Sequence, residues 1–383
     1  VAAEPATVYV VKGVSRHGYM HRMIDELGRG FEAEGYAVRD LWITADGLAA
    51  AGEQARAGAV RAVVNLNFKV PPARFRDAGL GGIPLVLYTA DPPYHSAIYM
   101  MDVLTALPKA QASVFSPTHL PFARRIAERF DSVPARIHCL PHGATPEPAL
   151  AWTERDVPAV LAASLHYGKP PEALREGWQR FGRYKESLLN DIVDACNAAP
   201  ERDIGSITET VFGQRLARPD EVAMLLMADH VDYYLRQVAR WQAALSMLDI
   251  PGAVICGLGW ESLTERNPRA TLAGPLETGD VMALIRRAKV VVNAMSAQTG
   301  SHERVFEGIS RGALVVSTWS SFWVEAFGDT VELVDDPADF GAAIRGALDG
   351  DNTQRVARAR ERLEAGHTWR HRARAVLDLT ANQ

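Results

Sequence analysis

Apolar residues recur along the chain as short, β-branched runs, each followed by a longer stretch of helical period. In the first part the runs fall at residues 7–14, 37–43, 61–67, 83–89, 112–116 and 136–140. Between them, stretches such as 21–34 set Met23, Leu27 and Phe31 on one helical face. Strands apolar on both faces, alternating with helices, predict a parallel sheet covered on each side. The ligand crevice of such a doubly wound sheet lies outside the carboxyl ends of its strands.

Around Pro141-His142-Gly143-Ala144-Thr145-Pro146-Glu147-Pro148 three prolines and a glycine interrupt this rhythm, as a linker does. The alternation restarts at 159–164, 253–257, 270–273, 290–293, 313–318 and 331–334. The expected fold class is α/β: two doubly wound, Rossmann-like domains with a cleft between them, over residues 1–148 and 149–365. A chain of 383 residues suits that number. From about 171 to 248 no strand is readable. There Leu188, Ile192, Val193 and Cys196, and later Val222, Leu225, Leu226, Val231, Leu235 and Val238, keep helical spacing, which predicts a helical insertion in the second domain. Residues 366–383 are expected to form a C-terminal helix packing back toward the N-terminal domain, with Gly366-His367-Thr368 breaking the Arg-rich tail.

Composition narrows the class of protein. With 48% hydrophobic and 23% charged residues and no apolar run of membrane-spanning length, the chain reads as a globular protein without a transmembrane segment. A net charge of −5 gives no reason to expect nucleic acid as a partner. No charged segment followed by an apolar one opens the chain, and its three cysteines, Cys139, Cys196 and Cys256, lack metal or redox spacing. The cytoplasm is the expected compartment.

The strongest candidate for chemistry follows the run at 290–293. A small-residue loop, 294–300, leads into a helix over about 301–311, which Gly312 closes. A strand, loop and helix N-terminus offers unpaired backbone N–H groups to an anion. Ser301, His302 and Arg304 in the first turn can add donors to a diphosphate. Glu307, on the same face as Glu303, can accept both hydroxyls of a ribose. The competing structural reading makes the two glutamates dipole-favoured acids and pairs Glu307 with Arg311 at i, i+4.

The segment Ser301-His302-Glu303-Arg304-Val305-Phe306-Glu307-Gly308-Ile309-Ser310-Arg311-Gly312-Ala313-Leu314-Val315-Val316 resembles the donor-site signature of GT-B glycosyltransferases, above all the spore maturation protein (CgeB-like) type. Further pieces match in order: Ala253-Val254-Ile255-Cys256-Gly257-Leu258-Gly259-Trp260, then Gly274-Pro275-Leu276, then Gly366-His367-Thr368-Trp369-Arg370-His371-Arg372. The resemblance covers residues 250–375 by motif and 1–150 by fold pattern. It implies a glycosyltransferase whose second domain binds a nucleoside diphosphate-sugar, with the ribose on Glu307 and the phosphates on Arg304 and nearby N–H groups. The donor is a co-substrate, and no cofactor is implied. Retaining members often carry two glutamates eight positions apart, and Thr299 stands where the first would be. That departure leaves the sugar and the stereochemistry open.

In the first domain, Leu85-Val86-Leu87-Tyr88-Thr89-Ala90-Asp91-Pro92-Pro93-Tyr94-His95 puts an acid and a histidine just past a buried strand. The prolines are expected to keep this loop out of helix and sheet, so that Asp91 or His95 faces the crevice and serves as general base toward an acceptor hydroxyl. Asp91 can equally serve as a local turn residue. His17, within Gly13-Val14-Ser15-Arg16-His17-Gly18, competes for the base role by its position in inverting GT-B enzymes, or is a plain turn histidine. Lys169, in Ser164-Leu165-His166-Tyr167-Gly168-Lys169, can reach phosphate. Asp335-Asp336 is not placed to hold a metal, and metal independence is expected. Phe68-Lys69-Val70 and Arg74-Phe75-Arg76 can touch an anionic acceptor or a membrane surface peripherally, or form a solvated loop. Two other readings remain: a nucleotide-sugar epimerase or hydrolase on the same fold, and a non-catalytic nucleotide-sugar-binding protein. The acceptor and the oligomeric state are not legible.

Overall fold

A computed structural model describes residues 5–165, 168–216 and 220–381. The chain divides into two units, one comprising Val1–Thr145 with His367–Gln383, the other Pro146–Gly366.

In the first unit β1 (Thr7–Lys12), β2 (Ala37–Trp42), β3 (Val60–Leu66), β4 (Leu85–Tyr88), β5 (Ala110–Val114) and β6 (Ile137–Cys139) form a parallel sheet in the order β2-β1-β3-β4-β5-β6. The crossovers carry α1 (Tyr19–Ala33), α2 (Ala45–Arg56), α3 (Pro72–Asp77), α4 (Pro93–Ala106) and α5 (His119–Arg129). β1, β4 and β5 are buried along their whole length, as strands covered on both faces must be. The winding changes direction between β1 and β3, so the loops after these strands flank the crevice.

The second unit repeats the plan. Its strands, β7 (Val157–Ala162), β8 (Val254–Cys256), β9 (Thr271–Gly274), β10 (Ala288–Asn293), β11 (Leu314–Thr318) and β12 (Glu332–Val334), run parallel in the order β12-β11-β10-β7-β8-β9. Between β7 and β8 lie α6 (Pro171–Glu176), α7 (Arg183–Ala198), α8 (Ile204–Arg215) and α9 (Glu221–Met247). Then come α10 (Thr278–Arg287), α11 (Glu303–Ser310), α12 (Ser321–Phe327), α13 (Phe340–Asp349) and α14 (Thr353–Gly366). Asp220 starts α9 by accepting hydrogen bonds from the amides of Val222 (2.9 Å) and Ala223 (3.2 Å). The far end of α9 enters the core, where Trp241, Ala244 and Met247 join Leu161, Ile255, Val290 and Val292. The switch point falls between β7 and β10, so the loops after these two strands bound the ligand crevice of this unit.

The twelve strands lie within two residues of the expected runs, and the α/β doubly wound class stands for both units. Some expectations are corrected. Phe68, Val70 and Phe75 are buried, because the loop after β3 and helix α3 turn their apolar side chains into the core. They leave no aromatic surface there for a membrane. The loop after Asp91 does enter a helix: Pro93 is the first residue of α4, where a missing N–H costs nothing.

The last helix, α15 (Trp369–Ala381), packs on α1 in the first unit. Gly30 permits the approach, since a Cβ there would lie 2.7 Å from the Trp369 carbonyl oxygen. Arg370 and Arg374 both donate to Glu34, at 2.6 and 2.9 Å, and hold its carboxyl below the usual range. Deeper, the Arg372 Nε donates to the His142 carbonyl at 3.1 Å, and its Nη2 lies 3.0 Å from His367 Nδ1. Burial, reinforced by the Arg372 charge, pushes His142 down to about 3 and His367 down to about 4. The unfolded chain then binds more protons than the folded one below the ordinary histidine pKa of about 6.5. Stability is complete above that pH. As pH falls through the 6 to 4 range, each histidine is expected to remove up to about 1.4 kcal/mol per pH unit. Thermal melts of the intact chain across this range should show the loss, and His142→Asn should flatten it.

Candidate functional site

β10 ends in Asn293, whose side chain spans two elements. Its Nδ2 donates to Ser317 Oγ on β11 at 2.9 Å, and its Oδ1 accepts from Arg304 Nη1 at 3.2 Å. The loop that follows is pinned on several sides. The Met295 amide donates to Thr318 Oγ1 (3.1 Å), Ser296 Oγ to Asp232 Oδ1 of α9 (2.8 Å), and Gln298 Nε2 to the Cys196 carbonyl (3.0 Å). Gly300, at φ 80° and ψ −128°, takes a conformation that glycine alone adopts readily, and turns the chain toward α11.

Helix α11 begins at Glu303, two residues later than expected. Ser301 and His302 therefore precede it, both buried. His302 is the N-cap, its Nδ1 accepting from the Arg304 amide at 3.3 Å, while its Nε2 lies 3.3 Å from Glu303. Of the residues expected to hold a diphosphate here, Arg304 is the one with a partly exposed cationic side chain. The Thr299 backbone lies in the short turn Ala297–Thr299, and its side chain is outside the described residues.

Arg240, on α9, carries no sequence motif, yet it joins the two loops of the switch point. Its Nη1 donates to the Ser164 carbonyl after β7 at 2.9 Å, and its Nη2 lies 3.4 Å from Met295 Sδ after β10. Burial first, then the neighbouring charges of Arg304 and Arg236, bring its pKa down to about 9. Such crowding of like charges is relieved by an anion. Arg236 is held by Asp232 one turn before it. Arg304 also lies close enough to Cys256, at the end of β8, to oppose the burial that pushes that thiol up to about 11.

Gly257 and Gly259 build the wall of this site. A Cβ on Gly257, at φ 131°, would sit 2.1 Å from the Ala163 carbonyl oxygen, and one on Gly259 would sit 2.4 Å from that of Leu165. The close approach lets Leu258 N donate to Ser164 Oγ (3.0 Å) and Trp260 Nε1 to the Ala163 carbonyl (2.7 Å). Lys169 is exposed and lines a separate cavity among the helices. His166 and Tyr167, from the same expected segment, lie outside the described residues.

Glu307 is 2% exposed and ion-paired with Arg311, as the structural reading anticipated. Arg311, itself 1% exposed, also donates to Glu147 Oε1 at 2.5 Å. Its carbonyl accepts from Arg155 Nη2 at 2.6 Å. Removing one member of a buried ion pair leaves the other charge unmatched at a cost of about 3–5 kcal/mol. Arg311→Leu should therefore lower stability by roughly that amount. Arg311→Leu combined with Glu307→Leu should recover part of the loss in denaturant titrations.

In the first unit a cavity of ≈ 230 Å³ opens between the loops after β3 and β4, with Asp91, His95, Asn67 and Tyr99 in its wall. Asn67 brackets the acid: its Nδ2 donates to Asp91 Oδ2 at 2.7 Å, and its Oδ1 accepts from the Ala90 amide at 2.9 Å. His95 lies within α4 and lines the same cavity. His17 is not in that wall. It sits at φ 56° in the turn Arg16–Gly18. Among the described residues, no three His, Cys, Asp or Glu side chains group as a metal site, and no helix is long and apolar enough to cross a membrane.

Residues 230–378 match the sequence model of the family described as glycosyl transferase-like. No curated protein matches the sequence. Among solved structures, an α-glucosyltransferase in complex with UDP and a 13-mer DNA containing an HMU base is similar at a TM-score of 0.58 and 9% identity, over 99% of this chain and 100% of that one. Sucrose-phosphate synthase from Thermosynechococcus elongatus is similar at 0.54 and 13%, over 97% of each chain. HepE of Anabaena in complex with UDP-glucose is similar at 0.52 and 11%, over 98% and 100%. At these identities the likeness establishes the fold. The chain thus has the two-unit GT-B fold, and its residues 230–378 are similar to the glycosyl transferase-like family.

Proposed function

We propose that the protein moves a sugar from a nucleoside diphosphate donor to an acceptor hydroxyl. The observation that carries this is the arginine cluster, Arg304, Arg240 and Arg236, gathered where the loops after β7 and β10 meet. In this reading Arg304, Arg240 and the amides at the start of α11 take the diphosphate. They neutralise the charge of the leaving nucleotide, a task that needs no metal ion when preorganised cations perform it. Gly257, Ser301 and His302 shape the loops around it, and Lys169 has no direct part. Glu307 receives the ribose hydroxyls. A carboxylate offers about four lone-pair sites, so its pairing with Arg311 orients it without exhausting it. Asp91, bracketed by Asn67, is the general base toward the acceptor hydroxyl. The motifs Gly257–Trp260, Arg304–Glu307 and His367–Arg372 favour the spore maturation protein type within the glycosyltransferases.

Complexes of HepE and the α-glucosyltransferase contain UDP or UDP-glucose, which makes uridine the first base to try. Calorimetric titration with UDP, GDP and dTDP tests the proposal. One of them is expected to bind in the micromolar range. Absence of binding by all three would remove the donor reading. Incubating the matching nucleotide-sugar with and without cell extract then separates transfer from hydrolysis.

A further inference from the structure

A cavity of ≈ 540 Å³ opens in the second unit between α6, the turn Gly177–Phe181 and α9. Its wall is aromatic. Trp178 meets Tyr234 edge-on at 5.1 Å, Phe181 faces His230 at 5.2 Å, and Tyr233 lies beside them. Charged groups edge the rings: Arg180 sits over Phe181 at 4.9 Å, and Lys169 and Asp229 complete the rim. Aromatic faces among hydrogen-bonding groups of both kinds suit a ligand with an apolar C–H face and a belt of hydroxyls, which describes a saccharide.

The direction of α9 ties this cavity to the arginine cluster. Asp229, Tyr233, Arg236 and Arg240 stand at i, i+4, i+7 and i+11 and share one face of the helix. At 1.5 Å of rise per residue, Tyr233 lies about 10 Å and Asp229 about 16 Å along that face from Arg240. Arg236, the member of the cluster nearest the cavity, is three residues or about 4.5 Å of rise from Tyr233 and about 10 Å from Asp229, so a sugar bonded directly to the diphosphate reaches only the near end of the cavity. The far end, between Phe181 and Asp229, is left for a separate group.

We propose that the cavity is a subsite for the part of a saccharide acceptor remote from the reacting hydroxyl. Calling the ligand an acceptor rests on the donor site assigned above. Binding energy gathered away from the reacting atoms can orient the acceptor and exclude shorter or non-sugar alcohols. The helices between β7 and β8 then decide which acceptor is used.

Saturation-transfer NMR of the full chain with maltose, cellobiose and chitobiose as probes, at millimolar concentration, tests this. At least one sugar is expected to give a signal that falls about fivefold or more in both Phe181→Ala and Asp229→Asn, with UDP affinity kept within about twofold. Both positions are partly exposed, so these variants are expected to fold. No signal from any of the three sugars, or a signal that survives in both variants, overturns the subsite. A sugar signal dependent on Phe181 and Asp229 in a chain that binds none of UDP, GDP and dTDP sustains the saccharide site and removes only the donor reading.

Discussion

The double variant Arg240→Ala, Arg304→Ala should lose nucleoside diphosphate affinity by about two to four orders of magnitude while keeping its fold. Each charged hydrogen bond to phosphate is worth about 1.5–3 kcal/mol, and the two act at different points of the same anion. Removing Arg240 should not unfold the unit. Its contacts are one bond to the Ser164 carbonyl and one to Met295 Sδ, and its loss relieves repulsion with Arg304 and Arg236. Pyrophosphate separates the roles further. Both arginine changes should weaken pyrophosphate and UDP together. Glu307→Gln, if its carboxylate holds the ribose, should weaken UDP and leave pyrophosphate unchanged. Calorimetry of the unaltered protein, the double arginine variant and Glu307→Gln against both ligands checks this. Undiminished UDP binding in the double arginine variant would remove the diphosphate from this site. The salt dependence of binding should also flatten in that variant, because exposed charge attraction is screened.

The architecture was largely legible in the sequence, because strands covered on both faces must be apolar throughout and such runs survive inspection one at a time. Their order was less so. That β10 lies beside β7, far from it in sequence, is a property of the assembled sheet, and it is what brings Met295 to Ser164. Arg240 was missed for the same reason: on α9 it is one polar residue of a long helix, and only the switch point gives it meaning. A signal existed in principle, since Arg236 and Arg240 stand one turn apart on a helix whose end is buried in the core. The i, i+4 pairing of Glu307 with Arg311 could be read from spacing, whereas the third member, Glu147, arrives from the linker and could not. The prolines predict a loop around His95, whereas Pro93 occupies a first helical turn and puts His95 in α4, still on the cavity wall.

Asp91→Asn is expected to reduce sugar transfer by about 10²–10⁴-fold, the usual contribution of a positioned general base, and to leave UDP binding unchanged. Three groups compete for the role, and the geometry ranks them. His17 occupies a turn outside the cavity after β3 and β4. His95 lines that cavity but belongs to α4, with its backbone amide bonded to the Pro92 carbonyl. Asp91 is a carboxylate in the cavity wall, aimed by Asn67. Asn67 fixes one carboxylate oxygen and the backbone beside it, which presets the orientation a base needs. Asn67 itself takes a left-handed backbone, φ 57°, a conformation asparagine tolerates better than most residues. Asn67→Ala should therefore act through Asp91, lowering the rate less than Asp91→Asn does, and Asp91→Asn combined with Asn67→Ala should be no worse than Asp91→Asn alone. Rates of transfer to the acceptor found in extract, or of slow donor hydrolysis where water takes its place, provide the measurement. Additive losses in the double variant would mean that Asn67 does not work by holding Asp91. Full activity in Asp91→Asn would pass the role to His95 or His17, which His95→Gln and His17→Gln would then separate.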